Sequence, residues 1–273
     1  MALVNGESRL FLRRTNRQKI ITTQLLISVK NVAEALLVLE AGVDIIDLKD
    51  PDLGALGALD LLLTKQIIQT IRHRQSSSEL AHNQPYFSAA VGDQAIDLNS
   101  LIADIEARHA LGLDLLKIVV SKLFDDAHFV SKMQSLTDKG IKLVAVFFAD
   151  EPLNLGLLPR LKQIGFFGAM LDTQNKQHNL LQVQTTEALQ NFTQMCHQHH
   201  LQSGLAGSLQ AQHIENLIQL NPTYIGFRGG ACENLARKTN LNRAKITELE
   251  KLLHTHNKIN LKAQKSKHLA LHS

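Results

Sequence analysis

Five places in this chain hold ionisable or glycine-rich groups at spacings that suit carbonyl chemistry on an anionic substrate. One apolar run, Ile45-Ile46-Asp47-Leu48-Lys49-Asp50-Pro51, carries an aspartate and a lysine two positions apart. A second, Leu115-Leu116-Lys117-Ile118, encloses a lysine, and a third ends in Asp172. Two more run into Gly207-Ser208 and Arg228-Gly229-Gly230. Alternate side chains of a strand share a face, so Asp47 and Lys49 project together while Ile46 and Leu48 take the other side. Burial and a neighbouring cation both weaken a lysine's hold on its proton, and a neutral amine can attack a carbonyl or carry a proton. A lone lysine is more often a surface residue with its charge in water. Two lysines inside apolar runs, one with an aspartate two positions earlier, favour the buried alternative. Asp47 then reads equally as an ionic partner for Lys49 or as a proton-transfer group.

The elements that must position these groups are short apolar runs alternating with longer helical patterns, the signature of repeated βα units and a parallel sheet. Eight strands are expected, at 24–28, 44–49, 86–91, 115–120, 142–148, 167–171, 202–206 and 224–227. A helix can be drawn after each, at 31–41, 60–74, 98–111, 125–139, 157–164, 187–200, 210–220 and 243–254, the last capped by Asn242. Eight regular units in 273 residues predict a closed α/β barrel of the (β/α)8 TIM type, with an open doubly wound sheet as the alternative. In such a barrel the active site lies at the carboxyl ends of the strands, where all five groups fall. Alternate strands fill each interior layer, so Lys49 and Lys117, on the second and fourth strands, can meet in one layer. The loops after the seventh and eighth strands are a common phosphate site of this architecture, which assigns substrate phosphate to Gly207, Ser208, Gly229 and Gly230, with Arg228 as the ionic partner.

The remaining composition narrows the function. No apolar run approaches the roughly 18 residues of a membrane span, and residues 1–19 lack a signal-like apolar region, so a cytoplasmic protein without membrane contact is expected. Cys196 and Cys232 are the only cysteines and form no metal-type pair. His197, His199 and His200 cluster near the end of a helical segment, where the dipole favours histidine, with no carboxylate beside them to complete a metal site. The net charge of +4 is terminal in origin: basic residues crowd positions 1–20 and 251–273, leaving more acids than bases between. That distribution, with no tryptophan, points away from a specific nucleic-acid partner. The chain divides into a basic arm at 1–22, a catalytic barrel at 23–254 and a basic tail at 255–273, and a homo-oligomer stays open.

These segments together resemble the (5-formylfuran-3-yl)methyl phosphate synthase family, also called 4-(hydroxymethyl)-2-furancarboxaldehyde-phosphate synthase. The resemblance rests on LLIS at 25–28, AGVDIIDLKDPDLGALGA at 41–58, AVGD at 90–93, LLKI at 115–118, GAMLDTQNK at 168–176, LAGSLQAQHI at 205–214 and IGFRGGAC at 225–232, in that order, and spans residues 23–254. It implies a barrel that condenses two molecules of glyceraldehyde 3-phosphate into a phosphorylated furan for methanofuran-type one-carbon carriers, with no cofactor and no metal. It further implies Lys49 as the Schiff-base lysine, Lys117 as proton acceptor, and Asp47, Asp172 and Lys176 as further catalytic positions. A different Schiff-base aldolase acting on another sugar phosphate, and a catalytically silent ligand-binding barrel, are the alternatives.

Overall fold

The computed structural model describes residues 22–76, 84–92 and 97–270. The arm expected at 1–22 lies, but for Thr22, outside the described residues. Eight parallel strands close into a barrel in chain order: β1 (Gln24–Val29), β2 (Ile45–Leu48), β3 (Tyr86–Ala90), β4 (Leu115–Val119), β5 (Leu143–Phe148), β6 (Gly168–Asp172), β7 (Gln202–Leu205) and β8 (Tyr224–Phe227). The eighth strand pairs with the first, Leu25 beside Ile225, and leaves the sheet without an edge. The open-sheet alternative is therefore excluded.

Strands such as Leu143-Val144-Ala145-Val146-Phe147 are apolar throughout because both their faces are covered. One face packs on the helices. Ile27, Ile46, Leu48, Ala89, Leu116, Ala145 and Leu171 belong to that outer core. The other face fills the barrel, where Leu26, Ile45, Leu115, Val144, Met170 and Tyr224 make a smaller inner core. Alternation then places Asp47 and Lys49 on the inner face with Ile45, as the sequence pattern requires.

The surrounding helices are α1 (Val32–Glu40), α2 (Leu61–Ser76), α3 (Leu98–Ala110), α4 (Ala127–Asp138), α5 (Leu157–Ile164), α6 (Leu180–Val183), α7 (Thr186–Gln198), α8 (Ile214–Ile218) and α9 (Arg243–Ala270). Their starts are set by side-chain caps at Asn31, Asp97, Asp126 and Thr185, each accepting a backbone N–H of its helix's first turn. Asn242 does the same for Lys245 at the head of α9. The sequence pattern misses α6, a single turn closed by a reciprocal cap between Asn179 and Gln182. It also overextends α8, whose expected first turn is a 3-10 turn at Ala211–His213.

The last helix, expected at 243–254, runs on into the segment expected as a basic tail. Residues 255–270 contain neither glycine nor proline, so nothing stops α9 at position 254 and it continues to Ala270. The extension is fastened to the barrel. Asn257 accepts the Thr23 N–H at 3.0 Å and donates to the Thr23 carbonyl at 2.8 Å, and Asn260 donates to the Ile218 carbonyl. Among the described residues no helix is long and apolar enough to cross a membrane.

Candidate active site

The inward residues of the first four strands form one hydrogen-bonded row. Ser28 on β1 lies opposite Asp47 on β2, and Asp47 opposite Ser88 on β3. Both hydroxyls donate to the aspartate, Ser28 to Oδ2 at 2.8 Å and Ser88 to Oδ1 at 2.7 Å. Lys117 of β4 adds its ammonium to Oδ1. All four side chains are buried. Burial pushes the Asp47 carboxyl up, but the charges of Lys117 and Lys49 and the hydrogen bonds from Lys117 and Ser88 outweigh it, so it stays below the usual carboxylate range. Burial lowers the Lys117 ammonium despite the opposing aspartate.

A second ionic group occupies the end of β6. Asp172 accepts Lys49 Nζ on Oδ2 at 3.3 Å, and on Oδ1 it accepts Lys176 Nζ at 2.7 Å and the Thr173 N–H at 2.8 Å. Burial raises this carboxyl, and Lys176, Lys49 and the Thr173 N–H bring it well below the carboxylate range. Lys176 follows in the turn after β6, where it also donates to the Thr173 carbonyl. Its own pKa is pushed down to about 8, first by burial and then by the charges of Lys49 and Arg237, against the pull of Asp172. Three lysines thus face two carboxylates, and the excess positive charge suits an anionic substrate.

These five side chains open on one cavity of about 360 Å³ at the carboxyl ends of the strands, and Gly207, Ser208, Arg228, Gly229 and Gly230 line it too. Every site residue expected from sequence is therefore at this mouth. Lys117 pairs in register with Ala90, and Leu48 with Ala89, so Lys49 and Lys117 flank β3. The single layer expected for them is corrected: the strands are staggered round the closed sheet, which sets Lys117 level with Asp47 and Lys49 one layer nearer the mouth, level with Asp172. The two glycine turns pack against their neighbours without room for a side chain. Gly207 has φ +116°, and a Cβ there would lie 2.9 Å from the Thr173 side chain; one at Gly230 would lie 2.3 Å from the Leu209 carbonyl oxygen. Ser208 donates its hydroxyl to the Lys176 carbonyl at 3.1 Å, tying the turn after β7 to the one that carries the lysine.

Arg228 is placed differently from expectation. Its five N–H donors are committed to the Ser28, Arg237 and Thr239 carbonyls and to both oxygens of Glu34, with Nη1 2.5 Å from the glutamate. The guanidinium is neutralised within the wall and is not a cation held out to a phosphate. Cys232 is buried in the same loop, and burial pushes its thiol up. His197 sits beside the Ser203 hydroxyl at 3.4 Å, away from the mouth. Among the described residues no group of three or more His, Cys, Asp or Glu could hold a metal ion.

Sequence reasoning misses Ser28, Ser88 and Arg237. The two serines carry a signal in retrospect, since each is a small polar residue at an inward position of a largely apolar strand. Arg237 has none, because it lies in an irregular loop whose path no periodicity predicts.

Comparisons with known proteins bear on the family and the fold. A family model described as 4-HFC-P synthase matches residues 25–250. A protein of Methylorubrum extorquens, provisionally named as a (5-formylfuran-3-yl)methyl phosphate synthase, is 35% identical over 227 residues, covering 82% of this chain and 89% of the relative. The (5-formylfuran-3-yl)methyl phosphate synthase of Methanothermobacter thermautotrophicus is 30% identical over 244 residues, covering 84% and 98%. Among solved structures, 3-hexulose-6-phosphate synthase from Salmonella typhimurium superposes with a TM-score of 0.57 at 12% identity, over 86% of this chain and all of that one. Phosphoribosyl anthranilate isomerase from Thermus thermophilus gives 0.56 at 12%, over 85% and 99%. At these identities the structural likeness concerns the fold alone.

Proposed function

The chain belongs to the 4-HFC-P synthase family, and on that premise we propose that it condenses two molecules of glyceraldehyde 3-phosphate into (5-formylfuran-3-yl)methyl phosphate through a Schiff base at Lys49. Overall, the two trioses lose one phosphate and two waters, and the product feeds the furan of methanofuran-type one-carbon carriers. The observation that carries this reading is the placement of Lys49 at a buried mouth, 3.3 Å from the Asp172 carboxylate and above the ion-paired Lys117 and Asp47.

In its neutral form the Lys49 amine adds to the carbonyl carbon of a triose phosphate, and loss of water leaves an imine. Protonated, that imine draws electrons from the neighbouring carbon, whose proton can then leave to give an enamine, the nucleophile for the second aldehyde. Lys117 and Asp47 form a ready proton couple for these transfers, since the pair is already joined by a hydrogen bond. Lys176, with a pKa near 8, can give or take a proton close to neutral pH and faces the same carboxylate as Lys49. The glycine turns after β7 and β8 hold substrate phosphate through backbone N–H groups.

Incubation of the protein with glyceraldehyde 3-phosphate, followed by absorbance and mass of the product, tests the proposal. A furan aldehyde phosphate is expected. A different carbon–carbon product points to another Schiff-base aldolase, and no product with tight sugar-phosphate binding points to a silent barrel.

A further inference from the structure

We propose that Arg237 is the side chain that reads the phosphate monoester of the substrate, and that Arg228 and Glu34 act behind it as the strut that holds it there. The inference rests on the reading of the mouth as a triose-phosphate site and names the residue that selects for the phosphate.

The loop after β8 is laced from beneath. Arg228 Nε donates to the Arg237 carbonyl at 2.8 Å, and Nη2 to the Thr239 carbonyl at 2.9 Å. Glu34, in the first turn of α1, grips the same guanidinium and also accepts the N–H groups of Lys30 and Leu241 at 2.9 and 3.3 Å. Its two oxygens therefore bind the loop to the end of β1. Asn234 and Leu235 adopt left-handed φ values of 52° and 59°, a conformation that non-glycine residues hold only when surrounding bonds impose it. Arg228 thus spends its donors on the backbone that carries Arg237, and the shape of the loop is fixed without help from a ligand.

That shape brings Arg237 to the phosphate end of the cavity. Its backbone passes directly beside the glycine turn: a Cβ on Gly229 would lie 3.8 Å from both the Arg237 N and Cβ. Its side chain crosses the rim, where Nη2 donates to the Gly54 carbonyl in the turn after β2 at 2.9 Å. Arg237 lines the same cavity as Lys176, and its charge is one of the causes that lower the Lys176 pKa. Arg228 is neutralised by Glu34, and two of the three lysines are offset by Asp47 and Asp172. Arg237 stands at this end of the same cavity, next to the glycine turn. Lys238, its neighbour, is exposed and paired with Asp52. A guanidinium presents parallel N–H donors that match a phosphate monoester, and it never loses its charge.

The test uses the full chain with inorganic phosphate as the probe, read by calorimetric titration and by the phosphate-dependent rise in Tm. Arg237→Gln is expected to weaken phosphate binding by about tenfold or more and to raise KM for glyceraldehyde 3-phosphate by a similar factor, with kcat changing far less. Arg237→Lys, which keeps the charge and loses the fork, should recover part of the affinity. The variant's Tm without phosphate checks that the barrel is intact. Phosphate binding to Arg237→Gln as tight as to the parent, or a fall in kcat at constant KM, overturns the proposal. If the parent makes no furan aldehyde while Arg237→Gln still loses phosphate affinity, the anion site stands and the reaction assignment alone falls.

Discussion

Lys49 and Lys176 hold opposite oxygens of a single carboxylate, Lys49 at 3.3 Å from Asp172 Oδ2 and Lys176 at 2.7 Å from Oδ1. The consequence is an asymmetry between the lysines of the mouth. Lys49 makes the longer contact, and it can leave the carboxylate for a carbonyl carbon without stranding a buried charge, because Lys176 and the Thr173 N–H remain on Asp172. Lys117 has no such freedom. Among the described residues it is the only ammonium hydrogen-bonded to Asp47, and its departure would leave that buried anion hydrogen-bonded to the two serine hydroxyls.

Covalent trapping should follow the same asymmetry. Borohydride reduction in the presence of glyceraldehyde 3-phosphate is expected to add a substrate-derived mass to the peptide containing Lys49. Lys49→Arg should abolish both the adduct and turnover, since a guanidinium supplies no neutral amine. Lys117→Arg should lower turnover by roughly 10²–10⁴-fold, the usual worth of a positioned proton carrier, while the adduct at Lys49 persists. Mapping of the reduced adduct to Lys117 would exchange the two roles. Labelling of no lysine, with turnover stopped by chelators, would remove the Schiff base from the mechanism.

A titration near pH 8 should appear in kcat/KM, because Lys176 changes charge there. The Asp172 carboxylate is what opposes burial at this lysine, so Asp172→Asn should move the limb to lower pH. Stability has its own sign. The folded value of about 8 lies below the ordinary 10.5, so between those values the unfolded chain binds more protons, and this group's penalty, full below about 8, is relieved as pH rises towards 10.5. Asp47 and Asp172 act in the other direction: their depressed values stabilise the fold above the ordinary carboxylate range, and that support is lost as pH falls through them. An unchanged pH profile in Asp172→Asn would detach Lys176 from catalysis.

The barrel and the convergence of Asp47, Lys49, Lys117 and Asp172 were legible because strand periodicity decides which side chains point inward, and chain order decides which strands adjoin. Ile46 and Leu48 facing the helices leave Asp47 and Lys49 no other side. Partner choice was not legible. Nothing in the spacing says that Lys49 pairs with Asp172, 123 positions away, in preference to the aspartate two positions before it. That depends on the height of each residue in the closed sheet. Arg228 misled for a related reason: a cation beside two glycines looks like a phosphate ligand until Glu34, 194 positions earlier, is seen to neutralise it.

The extension of α9 should matter to stability rather than chemistry. A chain cut after residue 256 loses Asn257 and with it both partners of the buried Thr23 backbone, together with the Asn260 bond to Ile218. Each unsatisfied buried group costs about 1–3 kcal/mol, so unfolding should begin several degrees lower than in a chain cut after residue 261. The longer chain should keep turnover. Equal thermal stability of the two would show that Asn257 contributes nothing net.

The Glu34–Arg228 pair gives the last prediction, and it separates a strut from a ligand. Both side chains are largely buried, and every donor of the guanidinium is in use. Arg228→Met leaves the Glu34 carboxylate buried opposite an apolar chain and frees the carbonyls of Ser28, Arg237 and Thr239, for an expected loss of about 3–5 kcal/mol in unfolding free energy. Arg228→Lys should restore little, because one ammonium cannot span the five acceptor contacts that a planar fork satisfies. Glu34→Leu combined with Arg228→Met should be less damaging than the sum of the two single changes, since the double variant has no stranded charge, and a thermodynamic cycle should return a coupling of about 0.5–3 kcal/mol. Phosphate affinity should fall in Arg228→Met as well, because the loop bearing Arg237 loses its anchor. If Arg228→Met instead unfolds at the parent temperature and only KM rises, Arg228 contacts substrate directly and the strut assignment is wrong.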